Sequence, residues 1–152
     1  MAKEIERKFL LINDSWKQYV VKSTRIIQAY LSHRHEGIVR LRIYGDKAFL
    51  TIKGKTIGIE RHEWEYEIPV KDAMEMLDLK VYENSFIEKT RHIVKYDNEI
   101  WEIDEFHGRH QGLILAEIET PYTGYVVKIP PFIGKEVSDD PQYFNSNLNI
   151  AY

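Results

Sequence analysis

Along most of the chain, apolar and polar residues alternate with a period of two. Lys3–Leu11 (KEIERKFLL) sets charged residues against Ile5 and Phe9, and the same alternation returns in Thr24–Arg34, Gly37–Tyr44, Lys47–Lys53, Arg61–Pro69, Ser85–Lys95, Glu99–Phe106 and Gly112–Thr120. Segments of this length, rich in Ile, Val, Tyr, Trp and Phe, predict eight β-strands. Gly45-Asp46 and Asp97-Asn98 have the chemistry of tight turns, so each is expected to close an antiparallel hairpin. Helical spacing is scarce. Asn13-Asp14-Ser15 is a capping sequence for a helix to about Tyr19, Val70–Leu79 carries apolar residues at helical spacing, and the tail from Pro141 predicts a last short helix. Pro121, Pro130 and Pro131 predict irregular chain between the eighth strand and that tail. The fold class is therefore mainly β (α+β), with eight antiparallel strands in a closed barrel or a sandwich and a few short helices.

Composition narrows this picture. The 152 residues are 43% hydrophobic and 30% charged, enough to bury a core, and residues 1–152 are expected to form a single domain. No run of about 18 apolar residues predicts a membrane helix. The opening MAKEIERKFLL is charged where an export signal needs apolar residues. Cysteine is absent, which removes disulfides and thiolate metal sites and fits a reducing cytoplasm. With 21 basic and 24 acidic residues the net charge is −3, against a partner such as a nucleic-acid polymer, whose binding needs excess Lys and Arg.

What changes the picture is where the charges sit. Residues two apart on a strand share a face. Glu4, Glu6 and Lys8 form such a strip, as do Arg40 with Arg42, Glu63 with Glu65 and Glu67, Lys89 with Arg91, Glu102 with Asp104, and Glu117 with Glu119; Lys53 adds a cation on its own strand. For one strand the plain interpretation is a wet charged face over an apolar core. Seven strands together are less easily explained so, because apart from Glu4, Glu6 and Lys8 whole strips are acidic and whole strips are basic. Acid pairs at this spacing repel unless a cation lies between them, and basic pairs repel unless a polyanion does. On one concave face the two sets describe a site for a metal-complexed polyphosphate.

These residues resemble a known family. Glu4-Ile5-Glu6-Arg7-Lys8 resembles the ExExK signature of the CYTH superfamily, the triphosphate tunnel metalloenzymes. Arg40-Leu41-Arg42, Thr51-Ile52-Lys53-Gly54, Arg61-His62-Glu63-Trp64-Glu65, Glu88-Lys89-Thr90-Arg91, Glu102-Ile103-Asp104 and Glu117-Ile118-Glu119 follow in the family's order. Gly134-Lys135-Glu136-Val137 through Tyr143 and Asn145 resembles its carboxy-terminal segment. The resemblance implies an eight-stranded antiparallel tunnel that hydrolyses triphosphates with a divalent metal, Mg²⁺ or Mn²⁺, usually as a homodimer. It implies that Lys8, Arg40, Arg42, Lys53, Lys89 and Arg91 hold phosphates. Glu4, Glu6, Glu63, Glu65, Asp104, Glu117 and Glu119 would bind metal, directly or through water. Lys8 and Tyr30 are the implied catalytic pair, Tyr30 standing where short bacterial members carry a tyrosine proposed for proton transfer, although most tyrosines only pack.

The substrate expected is inorganic tripolyphosphate, with side activity on nucleoside triphosphates, because nothing in so short a chain reads as an adenine or thiamine pocket. A class IV adenylyl cyclase, a thiamine triphosphatase and a polyphosphate-binding module without turnover are the alternatives. A cytoplasmic protein with no membrane partner is expected.

Overall fold

The computed structural model describes residues 2–148. Eight strands appear close to their expected places: β1 (Ala2–Leu11), β2 (Val20–Arg34), β3 (Gly37–Tyr44), β4 (Lys47–Gly54), β5 (Glu60–Ile68), β6 (Glu83–Tyr96), β7 (Glu99–Phe106) and β8 (Ile114–Glu119). They pair antiparallel in the order β5-β4-β3-β2-β6-β7-β8-β1, and β1 pairs back onto β5, so the sheet closes into a barrel. Closure is possible because β1 divides its length. Ala2–Ile5 pair with β5, while Glu6–Leu10 pair with β8. The β6–β7 hairpin turns through Asp97 and Asn98, both left-handed at φ 48° and 64°, which suits Asx residues in a tight turn that keeps the strand twist.

Three local expectations are corrected. The second strand begins at Val20, four residues early, because Val20, Lys22 and Ser23 pair with β6 across a register shift. That shift erases period-two alternation, so the segment did not read as strand. A ninth strand, β9 (Ile133–Glu136), lies in chain expected to be irregular. It has little pattern of its own and is held by pairing of Phe9 with Glu136 and Leu11 with Ile133. Ser15–Tyr19 is a 3₁₀ turn, and the tail from Pro141 is a 3₁₀ turn at Pro141–Tyr143 followed by one helical turn, α2 (Asn145–Leu148). Residues 149–152 of the expected tail helix lie outside the described residues.

The apolar core lies largely outside the barrel wall. Phe9, Trp101, Ile103, Ala116 and Ile118 point outward and pack under Trp16, Val127 and Phe132, contributed by the 3₁₀ turn and the chain before β9. On the far side, α1 (Val70–Asp78) sets Ala73, Met76 and Leu77 against Leu41, Ile43 and Ala48. A third cluster, Tyr30, Ile38, Ile87, Phe106 and Leu115 with Leu10, faces inward, and Leu148 and Tyr143 of the tail pack on it. These inward residues sit at the carboxyl ends of β1, β2 and β7 and the amino ends of β3, β6 and β8. In an antiparallel barrel those are the same end, so this end is plugged with hydrocarbon. Outward burial thus supplies the stability, which frees the remaining interior positions for charge.

Candidate active site

Above the apolar plug the interior is a cavity of ≈ 240 Å³. Glu4, Glu6 and Lys8 reach it from β1, Arg40 and Arg42 from β3, Lys53 from β4, Glu63 and Glu65 from β5, Arg91 from β6, and Glu117 and Glu119 from β8. Tyr30 joins them from β2. The cause is the pleat: each strand sends every second side chain inward, so strips of matching parity on neighbouring strands converge.

The cations are held by specific partners. Lys53 Nζ donates to Glu4 at 3.1 Å and stands 4.0 Å from Glu63. Lys8 Nζ lies 3.5 Å from Glu117 and donates to the Tyr143 carbonyl at 2.9 Å. Arg40 Nη2 reaches Thr51 Oγ1 at 3.3 Å, and that hydroxyl donates to Glu65 at 2.9 Å. Arg40 is 6% exposed, yet its Nε has no hydrogen-bond partner among the described residues. A buried guanidinium N–H with no acceptor is costly, while the Arg40 side chain as a whole lines the cavity and can meet an anion there. Burial, with Arg40 and Arg91 as neighbours, pulls the Arg42 guanidinium down to about 9. Burial is the first cause and the crowding of neighbouring guanidinium groups the second, with Asp104 opposing both.

The carboxylates show the converse. Burial, then the charges of Glu117 and Glu4, raise the Glu6 carboxyl well above the ordinary range. Burial also raises Glu4, Glu119 and Glu102, with neighbouring carboxylates adding to it. Glu117 is the exception: burial pushes its carboxyl up, but Lys8 and Arg91 outweigh that and hold it down at about 2. The register explains the crowding. Glu6 pairs with Glu119, and Glu102 with Glu117, so carboxylates of β1, β8 and β7 lie side by side.

Two expected site residues lie beneath the cavity wall instead of on it. Lys89 is 0% exposed and Asp104 1% exposed. Lys89 Nζ sits 2.7 Å from Asp104 Oδ2, and Arg91 donates from Nε and Nη2 to the two oxygens of Asp104 at 2.8 and 2.9 Å. Burial lowers the Lys89 ammonium to about 7 in spite of Asp104. With both oxygens committed to cations, Asp104 is occupied as an anchor. Glu102, one step along the same strip, lines the cavity and meets Arg91 Nη1 at 3.3 Å.

Sequence reasoning passed over several residues that the fold brings here. Arg61 lines the cavity and donates from Nε and Nη2 to the Gly54 carbonyl at 3.1 and 2.9 Å, tying β5 to the end of β4. Its parity with Glu63 and Glu65 was the available signal. Asn145 and Phe144 enter from the tail, close to Lys8 and Lys89. No period-two pattern could place them, because they are not on a strand.

Known proteins resemble this chain in sequence and in fold. A family model described as the CYTH domain matches residues 2–137. An inorganic triphosphatase of Acetivibrio thermocellus is 45% identical over 148 residues, covering 97% of this chain and 94% of that protein. An inorganic triphosphatase of Nitrosomonas europaea is 34% identical over 152 residues, covering 97% of each. The crystal structure of the inorganic triphosphatase NE1496 superposes with a TM-score of 0.68 at 29% identity, covering 100% of this chain and 97% of that one.

Proposed function

Because the chain belongs to the CYTH domain family, we propose that it is a metal-dependent triphosphatase that hydrolyses inorganic triphosphate to pyrophosphate and orthophosphate. The observation that carries this reading is the charged cavity in which Arg40, Arg42, Lys53 and Lys8 face a bank of carboxylates, inside a barrel plugged at one end. Its volume of ≈ 240 Å³ lies below the roughly 300 Å³ at which pockets for drug-sized ligands begin. A bare triphosphate suits it better than a nucleoside. Nucleoside triphosphates are side substrates, entering tail first.

In this reading Arg40, Arg42, Lys53, Lys8 and Arg91 bind phosphate oxygens. Arg40 offers its planar guanidinium from the cavity wall, and Lys8 and Lys53 act as point charges. Lys89 supports Arg91 and Asp104 from below instead of touching substrate. The bond between the terminal phosphorus and its bridging oxygen breaks, and a bond from that phosphorus to a water oxygen forms. One proton of the water stays on orthophosphate, the other is released, and the bridging oxygen leaves on pyrophosphate. Such transfer asks the protein mainly to align the groups and spread charge, which fixed Arg and Lys donors do without reorganising. Lys8, between Glu117 and the Tyr143 carbonyl, is placed to neutralise the leaving pyrophosphate. Tyr30 supplies a phenolic hydroxyl to the same chamber.

Metal dependence is general in this family, and the donor set here fits a hard divalent cation. Glu4, Glu6, Glu102, Glu117 and Glu119 offer only oxygen, and burial together with neighbouring carboxylates raises Glu4, Glu6, Glu102 and Glu119, a crowding that a divalent cation would relieve. Mg²⁺ or Mn²⁺ held by these residues would polarise phosphate oxygens and acidify water. Glu63 stands next to them beside Lys53. Glu65 holds Arg40 through Thr51, and Asp104 is taken up by Lys89 and Arg91. The reading also includes a cytoplasmic homodimer, supported by exposed Ile52 and Tyr66 on neighbouring strands β4 and β5 and by the absence of cysteine. Sedimentation equilibrium showing a monomer would remove the dimer from it.

A substrate panel tests the proposal. Tripolyphosphate, ATP, thiamine triphosphate and pyrophosphate are each incubated with Mg²⁺ or Mn²⁺, and phosphate release and cyclic AMP are measured. Fastest phosphate release from tripolyphosphate is expected. Cyclic AMP from ATP would instead identify a cyclase, preference for thiamine triphosphate would identify that substrate, and binding without release would leave a polyphosphate-binding module.

A further inference from the structure

The innermost polar contacts of the barrel form a chain whose hydrogen-bond direction is fixed by Arg42. Gln28 is 0% exposed on β2, at the interior position preceding Tyr30. Arg42 sends Nε and Nη2 to one amide atom of Gln28, at 3.0 and 2.8 Å. A guanidinium has donors only, so that atom must be the oxygen, and the amide NH₂ must face the other way. There it meets Tyr30 Oη at 3.2 Å and Asn145 Oδ1 at 3.4 Å. The Asn145 amide is fixed by the same logic, since the Gln28 NH₂ can only donate and so must face its oxygen, which also accepts from Lys89 Nζ at 2.9 Å. The Asn145 NH₂ is therefore turned away from Lys89 and Gln28. The Tyr30 oxygen accepts from Gln28, so its own proton points elsewhere, and Tyr30 and Asn145 both line the cavity.

We propose that Gln28 is a positioning residue for the triphosphatase reaction, its amide setting Tyr30 as a hydrogen-bond donor into the cavity while holding the Arg42 guanidinium side-on. The inference rests on the triphosphatase reading of this site. Its chemical sense is that every group on this wall then presents N–H or O–H to a phosphate oxygen, and none presents a lone pair. As the anhydride bond breaks, negative charge grows on those oxygens, and donors already aimed at them stabilise it. If the Gln28 NH₂ were lost, the Tyr30 hydroxyl would be free to turn its proton toward position 28 and show the substrate a lone pair.

The test is a double-mutant cycle on tripolyphosphate hydrolysis with kcat and KM measured separately. Gln28→Glu keeps the size and the acceptor for Arg42 but has no N–H for Tyr30. In the otherwise unchanged protein it is expected to lower kcat about tenfold, the worth of one reoriented hydrogen bond, with KM moved less than about threefold. In a Tyr30→Phe background the same change should cost at most about twofold, because its target is gone. Gln28→Met, which lacks a donor and differs in charge, runs through the same cycle and decides the matter if Gln28→Glu melts out of the assay range. Equal losses in both backgrounds, unchanged kcat in Gln28→Glu, or full activity in Tyr30→Phe would each overturn the proposal. A wild-type protein that releases no phosphate would overturn the triphosphatase reading itself, an outcome separate from any of these.

Discussion

Asp104 grips Arg91 side-on, with Nε 2.8 Å from Oδ1 and Nη2 2.9 Å from Oδ2, while Lys89 Nζ closes on Oδ2 at 2.7 Å. One buried carboxylate thus serves two buried cations in the wall behind the cavity. Removing it leaves both charges without their partner. Asp104→Ala is therefore expected to destabilise the protein by about 3 kcal/mol or more, read by denaturant unfolding. Glu119→Gln, on the exposed end of its strip, should change stability by less than about 1 kcal/mol while reducing metal-dependent turnover. If Asp104→Ala were as stable as wild type, the anchor role would be wrong, and the carboxylate would belong with the metal-binding set.

Glu6 yields a pH prediction. Its folded carboxyl is raised well above the ordinary carboxylate range by burial and by Glu117 and Glu4. The unfolded chain therefore loses this proton at lower pH than the folded barrel. Between the ordinary carboxylate pKa and the raised one, the folded state holds more protons, so stability falls as pH rises through that window. Melting of the metal-free protein across this range should show the decline, and Glu6→Gln should flatten it. An identical slope in the variant would show that Glu6 is not the responsible group.

How far the sequence foretold this can be stated residue by residue. Parity alone put Glu4, Glu6, Lys8, Arg40, Arg42 and Arg91 on one face, because the pleat ties sequence spacing to direction. Parity says nothing of height along the barrel axis. Lys89 and Arg91 read as equivalent, yet Arg91 lines the cavity and Lys89 is sealed below it with Asp104. Depth depends on strand tilt and register, which are tertiary properties. Neutral residues were harder still. Gln28 and Asn145 carry no charge to flag them, and 117 positions separate them in sequence. The outward core was legible in Phe9, Trp101 and Ile103, whereas β9 was not, since it exists only because β1 offers it an edge.

Ligand binding should be cooperative between metal and anion. Burial and neighbouring carboxylates raise Glu6, and the guanidinium groups of Arg40, Arg42 and Arg91 crowd one another, so each component relieves repulsion that the other leaves. Thermal melting in a two-by-two design, metal against tripolyphosphate, should show the pair raising the melting temperature by more than the sum of the two alone. At a hundredfold the dissociation constant the joint gain is about 2.7 kcal/mol, several degrees for a domain of this size. Strictly additive shifts would mean that the two bind at separate places.

The central claim is that triphosphate is cleaved inside the barrel, against Arg40. Phosphorus-31 NMR of tripolyphosphate with Mg²⁺ tests it most directly, comparing the wild-type protein with Arg40→Ala. The expected wild-type result is one orthophosphate for each pyrophosphate formed, with no product when a chelator removes the metal. Arg40→Ala, folded by circular dichroism, should be slower by about a hundredfold, the usual cost of losing one donor to a developing oxyanion. Undiminished turnover in Arg40→Ala, or product formation in excess chelator, would contradict the account.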